Sequence, residues 1–165
     1  MYYDSRYRPP YDEWYDNPDW GYPIPLKDYG PNPFVINIQK ATRENHNFRL
    51  ALWTGTYLQL TLMSIDVGSD IGLEIHPDTD QFIRIEQGQG LTLMGYTKDC
   101  LTFRRKVKAG DVIFIPAGTW HNLINTGNIP LKLYSIYAPP QHPHGTIHRT
   151  KKDAEMEHGD YLYYR

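Results

Sequence analysis

Glu74 and His76 stand two residues apart, Gln81 follows, and His121 lies downstream; these are the side chains best suited to chemistry. Strand side chains repeat with period two, so Glu74 and His76 should share one face, with Leu73 and Ile75 on the other. Gln81 comes after a short turn through Pro77, Asp78 and Asp80, a segment rich in turn formers. His121 opens a later strand, just after the breaker run Pro116-Ala117-Gly118. Two imidazoles, one carboxylate and one amide carbonyl can converge on a single divalent metal ion. Neutral imidazoles, an ionised Glu74 and a neutral Gln81 give that set one negative charge. Mixed N and O ligands with open positions suit Fe, Mn, Co, Ni or Zn alike. The alternative is a lapsed site, in which the four side chains only hydrogen-bond to one another. Burying an ionised Glu74 without a cation or donor is costly, which favours the metal.

The elements expected to position these residues are strands. Short β-branched or alternating runs cover residues 34–36, 49–53, 57–65, 73–76, 81–86, 90–96, 101–107, 111–115, 120–125 and 131–137. In the third of them Leu58, Leu60 and Leu62 alternate with Gln59, Thr61 and Met63. Turns rich in Gly, Pro, Asn or Asp separate the runs. Residues 39–45 read as a short helix or turn, and residues 151–158 as one terminal helix. Many short strands at this spacing argue for an all-β sandwich or barrel.

Glycines and a proline frame the candidate ligands at fixed spacing. The first frame is Gly68, Glu74, His76, Gln81 and Gly88; the second is Gly110, Pro116, Gly118, His121 and Asn125. Over residues 50–138 this arrangement resembles the two motifs of the cupin superfamily. The resemblance implies a double-stranded β-helix, the jelly-roll barrel of that superfamily. The second motif fits at every position. The first departs twice: Glu74 stands where the family usually has a histidine, and Gln81 where it usually has glutamate. Both substitutions together leave the ligand charge unchanged. Gly118 is expected to serve the turn before His121, and Asn125 to bond backbone. Cupin phosphomannose isomerases also use Gln, His, Glu and His, in a different order. The chain thus resembles small mannose-6-phosphate isomerase-like cupins, although it lacks the segments that carry the basic catalytic residues of those isomerases. The function this implies is a metal-dependent, isomerase-like enzyme acting on a small polar or carbohydrate-type molecule, with Glu74 as catalytic base. The alternatives are a non-catalytic metal- or sugar-binding module associated with a coat, and a metal-dependent dioxygenase. One fold hosts all three.

Pocket-shaping candidates are Tyr96, Phe114, Trp120 and Tyr137, together with Arg105. Arg105 shares strand parity with Leu101, Phe103 and Val107, so on an apolar face it can bind an anionic group. His142, His144 and His148 form a second histidine group in a Pro-rich stretch, read as solvated tail residues rather than a metal site.

Length and composition fit one domain with three parts: a Tyr/Pro-rich arm over residues 1–33, a barrel over 34–140 and a tail over 141–165. The arm holds seven of the 13 prolines and seven of the 14 tyrosines, with Ile24 and Leu26 its aliphatic exceptions. It reads as an irregular segment whose end, residues 22–33, lies over the barrel. By composition, the Tyr-rich ends also resemble those of coat or surface-layer proteins. A net charge of -2 offers no basic surface for nucleic acid. The single cysteine, Cys100, and the lack of a secretion signal or an 18-residue apolar run point to a cytoplasmic protein off the membrane. Apolar residues on both parities of several strands point to a homodimer built on the barrel sheets.

Overall fold

The computed structural model describes residues 25–162. The Tyr-rich start of the arm, and Tyr163 and Tyr164 at the other end, lie outside the described residues. In chain order the elements are α1 (Ile38–Glu44), β1 (Arg49–Thr54), β2 (Gln59–Ile65), β3 (Asp80–Gln87), β4 (Gln89–Gly95) and β5 (Phe103–Lys108). There follow β6 (Val112–Ile115), β7 (Trp120–Asn125), β8 (Leu131–Ala138), β9 (Ile147–His148) and α2 (Lys151–Leu162). One sheet has six strands in the order β6-β3-β8-β2-β1-β9; the other has three, β5-β4-β7. Every strand pairing is antiparallel. This is the expected all-β jelly roll, with the two sheets facing each other rather than joined into a closed barrel. No helix among the described residues is long and apolar enough to cross a membrane.

Alternation places the main core between the sheets. Ile83 and Ile85 of β3, Ile113 and Ile115 of β6, and Leu131 and Leu133 of β8 point inward with Leu123 of β7. A second apolar layer lies outside the six-stranded sheet, where Leu50, Leu52 and Leu62 pack under Ala41 of α1 and against Leu26, Tyr29 and Ile36. This outer layer determines how β2 faces. Its leucines turn outward, so Gln59 and Thr61 turn inward and are fully buried.

Two expected strands are absent. Residues 34–36 run as irregular chain with Val35 88% exposed. The edge of β1 that they would need is taken by β9 at Arg49 and Leu50. Residues 73–76 form one bridge, Glu74 to His121, rather than a strand. The positive φ of Gly68 and Gly72, 76° and 90°, breaks the extended run that would precede them.

Residues 25–33 are built into the fold. Tyr29 N–H donates to the Leu52 carbonyl at 2.9 Å, and the Trp53 indole donates to the Asn32 carbonyl at 2.8 Å. A Cβ on Gly30 would stand 2.1 Å from the Thr54 carbonyl oxygen. Gly30→Ala is therefore expected to destabilise by about 2 kcal/mol. A fall of about 4–8 °C in the thermal midpoint is the result to look for. An unchanged midpoint would mean that this segment lies loosely on the barrel.

The tail is also integral. Ala154 of α2 joins the main core, and Lys151 pairs with Asp70. His148 is buried against Glu157, and His142 is buried with its backbone held by Gln59. The reading of these two histidines as solvated is thus corrected: β9 and the buried Gln59 draw them inside. His144 is exposed as expected and faces Asp28 at 3.5 Å.

Candidate metal centre

The centre is assembled by backbone pairing. Glu74 N–H donates to the His121 carbonyl at 3.0 Å, and His121 N–H to the Glu74 carbonyl at 2.9 Å. Such reciprocal bonding sets two side chains opposite each other on one face. His76 is tied to the turn before β7, because Gly118 N–H donates to the His76 carbonyl at 2.8 Å. Gly118 has φ +74°, a conformation open to glycine and strained for most other residues. Asn125 bonds backbone, its amide donating to the Ile65 and Ile129 carbonyls. The motif residues that carry no chemistry thus hold in place those that do.

Glu74 Oε1 stands 3.5 Å from His76 Nε2 and 3.4 Å from His121 Nε2. One ligand atom from each of the three residues lies within 4.8 Å of the others. Among the described residues this is the group of His, Cys, Asp or Glu side chains placed to share a metal ion. The second histidine group does not converge in this way. Both imidazoles are buried, at 4% and 1% exposure. His121 Nδ1 is 2.9 Å from the Thr119 carbonyl, which can only accept, so Nδ1 carries the proton. In the neutral ring the Nε2 lone pair then faces Glu74 Oε1. Two acceptors aimed at each other need a cation or proton between them.

Buried polar atoms without a protein partner cluster here: Glu74 Oε1, both nitrogens of His76, Gln81 Oε1 and His121 Nε2. Such groups are normally satisfied. This donor set fits a divalent ion, and its members are those the sequence motifs singled out. Burial pushes the Glu74 carboxyl pKa up, but the adjoining His121 and His76 rings and the charge of Arg49 outweigh it, and the net shift is downward. Glu74 is therefore ionised at neutral pH.

Gln81 lies on the inner face of β3. Its Nε2 donates to Ser135 Oγ at 2.9 Å and to the Tyr137 hydroxyl at 3.2 Å. Tyr137 is fully buried, its ring edge-on to His76 at 5.6 Å and to His142 at 5.2 Å. Burial pushes its hydroxyl pKa up, so it stays protonated. Of the pocket-shaping candidates, Tyr137 is the one brought beside the ligands.

The other candidates are corrected. Phe114 is 68% exposed on the outer face of β6, because Ile113 and Ile115 take the inward positions. Tyr96 is 91% exposed in the turn after β4. Arg105 has the inward parity expected of it, opposite Thr92, but β5 is an edge strand and the side chain is exposed. Its guanidinium lies 5.0 Å over the Phe103 ring. Trp120 is half-buried, with Lys98 over its ring at 5.9 Å.

Arg49 was not foreseen. It is 1% exposed at the start of β1, and its Nη2 is 3.9 Å from Glu74 Oε2. The available signal was a lone charge heading the apolar run Arg49-Leu50-Ala51-Leu52-Trp53, at the same parity as Ala51.

Fold, motif geometry and the cluster of candidate ligands define a small cupin-domain protein, and the chain belongs to that family. Residues 61–137 match the cupin domain family. The uncharacterized protein YrkC of Bacillus subtilis is 66% identical over 129 residues, which is 78% of this chain and 69% of that protein. Protein L612 of Acanthamoeba polyphaga mimivirus is 45% identical over 115 residues, 69% of this chain and 70% of its own. The crystal structure of BH2720 from Bacillus halodurans is similar at 62% identity with a TM-score of 0.79, covering 79% of this chain and 99% of that one.

Proposed function

We propose that this cupin is a metal-dependent enzyme acting on a small polar molecule by isomerase-type proton transfer. The observation that carries the reading is the cluster of unpartnered buried atoms on Glu74, His76 and His121 within 4.8 Å of one another. Glu74, His76 and His121 would hold the ion, and Gln81 offers a neutral fourth oxygen. A bound divalent ion supplies Lewis acidity toward a carbonyl oxygen. With Oε1 turned toward the ion, Oε2 of Glu74 is the oxygen that would take a proton from the carbon next to the carbonyl and return it. Tyr137 and the imidazole rings shield the site from bulk water.

Two measurements test this. Elemental analysis of protein purified without an affinity tag should find about one divalent ion per chain. Proton NMR in deuterated water should then show exchange at the carbon beside the carbonyl of a panel of hydroxy-aldehydes and hydroxy-ketones. Metal without exchange across the panel would favour a non-catalytic binding module. Metal content near zero would remove the enzyme reading at its base.

The same proposal includes a homodimer through the outer face of the six-stranded sheet. Phe114 and Val112 are 68% and 42% exposed there. Phe82 packs between Phe114 and Tyr134, at 5.2 and 6.2 Å between ring centroids. Contiguous aromatic surface of this kind favours a self-complementary partner. Light scattering should give twice the 19.3 kDa chain mass. Phe114→Glu should return the protein to a single chain. A wild type at 19.3 kDa in micromolar solution would end this part of the proposal.

A further inference from the structure

Arg49 presents a charge that the fold leaves incompletely answered. Its side chain is 1% exposed and sits on the inward parity of β1, paired with Met63 on one side and His148 on the other. A guanidinium has five N–H donors in a rigid fork. Nε and Nη1 have no hydrogen-bond partner. Nη2 faces Glu74 Oε2 at 3.9 Å, too long for a hydrogen bond. Among the described residues no other carboxylate pairs with it; the nearby His148 is engaged with Glu157. Buried arginines are rare unless paired, because desolvating the charge costs more than a single distant carboxylate returns.

Charge arithmetic points the same way. Glu74 and Arg49 cancel, Tyr137 is protonated, and Gln81 is neutral. With neutral imidazoles and a divalent ion bound, the centre carries a net charge of about +2 in a low-dielectric interior, a setting that draws in an anion. The Glu74 side chain keeps 16% exposure although its Oε1 is buried, so the centre is not sealed on every side.

We propose that Arg49 is a substrate-binding residue of this centre and that the substrate carries an oxyanion held by the guanidinium fork beside the metal position. This rests on the metal-centre reading above, and it narrows the substrate class from polar molecules to anionic ones. A carboxylate and a phosphate ester offer the same chemistry to Arg49, and the test separates them. A role confined to steadying Glu74 is the competing account; it leaves Nε and Nη1 without a hydrogen-bond partner, with the Phe48 ring 5.6 Å from the guanidinium carbon as their other neighbour.

The test is calorimetric binding to cobalt-loaded wild type, Arg49→Lys and Arg49→Met, with metal content measured in each. The probes are glycolate, inorganic phosphate and the neutral 1,2-ethanediol. Wild type should bind one oxyanion at least about tenfold more tightly than the diol, as expected for a charge-assisted bond. Glycolate ahead of phosphate assigns a carboxylate, and the reverse order a phosphate ester. Arg49→Met should lose about tenfold or more while keeping its metal. Arg49→Lys keeps the charge without the fork and should fall in between. Equal binding of anion and diol by wild type, or wild-type anion binding by both variants, would overturn the proposal. Should Arg49→Met fail to fold, Arg49→Lys binding as wild type does would overturn it alone. Should wild type hold no metal, the metal reading fails separately. Anion binding to that metal-free protein, lost on Arg49 substitution, would still support the role of Arg49, and no anion binding would refute it.

Discussion

His121→Ala protein is expected to hold metal more than about 100-fold less tightly than wild type, because losing a direct ligand exceeds the 10–100-fold typical of losing a supporting one. Of the proposed ligands, His121 is the one whose orientation is best secured. Its backbone is locked to Glu74 in both directions, and the Thr119 carbonyl holds its Nδ1 proton so that Nε2 faces the centre. His76→Ala should behave similarly. Gln81→Ala should cost nearer tenfold, since it removes a neutral oxygen whose amide is held mainly by Ser135 and Tyr137. Titration against a metal buffer, with elemental analysis, measures all three. Wild-type metal content in the double variant His76→Ala/His121→Ala would show that the ion sits elsewhere.

Glu74→Gln should destabilise the metal-free protein by about 3 kcal/mol, the low end for removing one partner of a buried ion pair. The low end applies because Arg49 Nη2 and Glu74 Oε2 are 3.9 Å apart and Glu74 keeps 16% exposure. The physical cause is what stays behind: a buried guanidinium with no carboxylate facing it. In a chain of this size the thermal midpoint should fall by about 6–12 °C. Adding Arg49→Met to Glu74→Gln should recover at least half of the loss, since it removes the stranded charge. The pH dependence has a definite sign. Glu74 titrates below its ordinary value of 4.5 in the folded state, so its contribution is present above that pH and fades as pH falls further. The gap between wild type and Glu74→Gln should therefore narrow in acid. A midpoint change under about 3 °C at neutral pH would show that Arg49 does not depend on Glu74.

Much of the site was legible because cupin geometry is written in backbone requirements. Gly68, Gly88, Gly110 and Gly118 all adopt positive φ, between 74° and 96°, so their spacing marks turns that few other residues make. Between those turns, Glu74, His76 and His121 had few places to go. The short helix and the structural roles of Gly118 and Asn125 followed from the same local chemistry, while the jelly-roll class followed from the resemblance to the cupin motifs. Burial did not follow. Period-two alternation says which residues share a face and not which face is inside. On β2 the leucines would ordinarily be placed in the core, yet they pack outward under α1, and Gln59 and Thr61 point in. Phe114 and Arg105 failed as pocket residues for related reasons: one took the outer parity of β6, and the other had the inner parity of a strand that ends the sheet.

The amino-acid sequence alone thus marked the turns, most of the strands and the four candidate ligands Glu74, His76, Gln81 and His121. Those depend on local backbone sterics and on side-chain chemistry, which travel with the residue wherever it is placed. Tertiary structure alone decided which charges meet. Arg49 and Glu74 are 25 residues apart in sequence, and they come together because β1 pairs with β2 on one sheet while Glu74 bridges to β7 beside the other. Gln59 meets the backbone of His142, 83 residues away, in the same way. Desolvation makes these encounters consequential: a guanidinium that would be an ordinary surface charge becomes, once buried, a group in need of an anion.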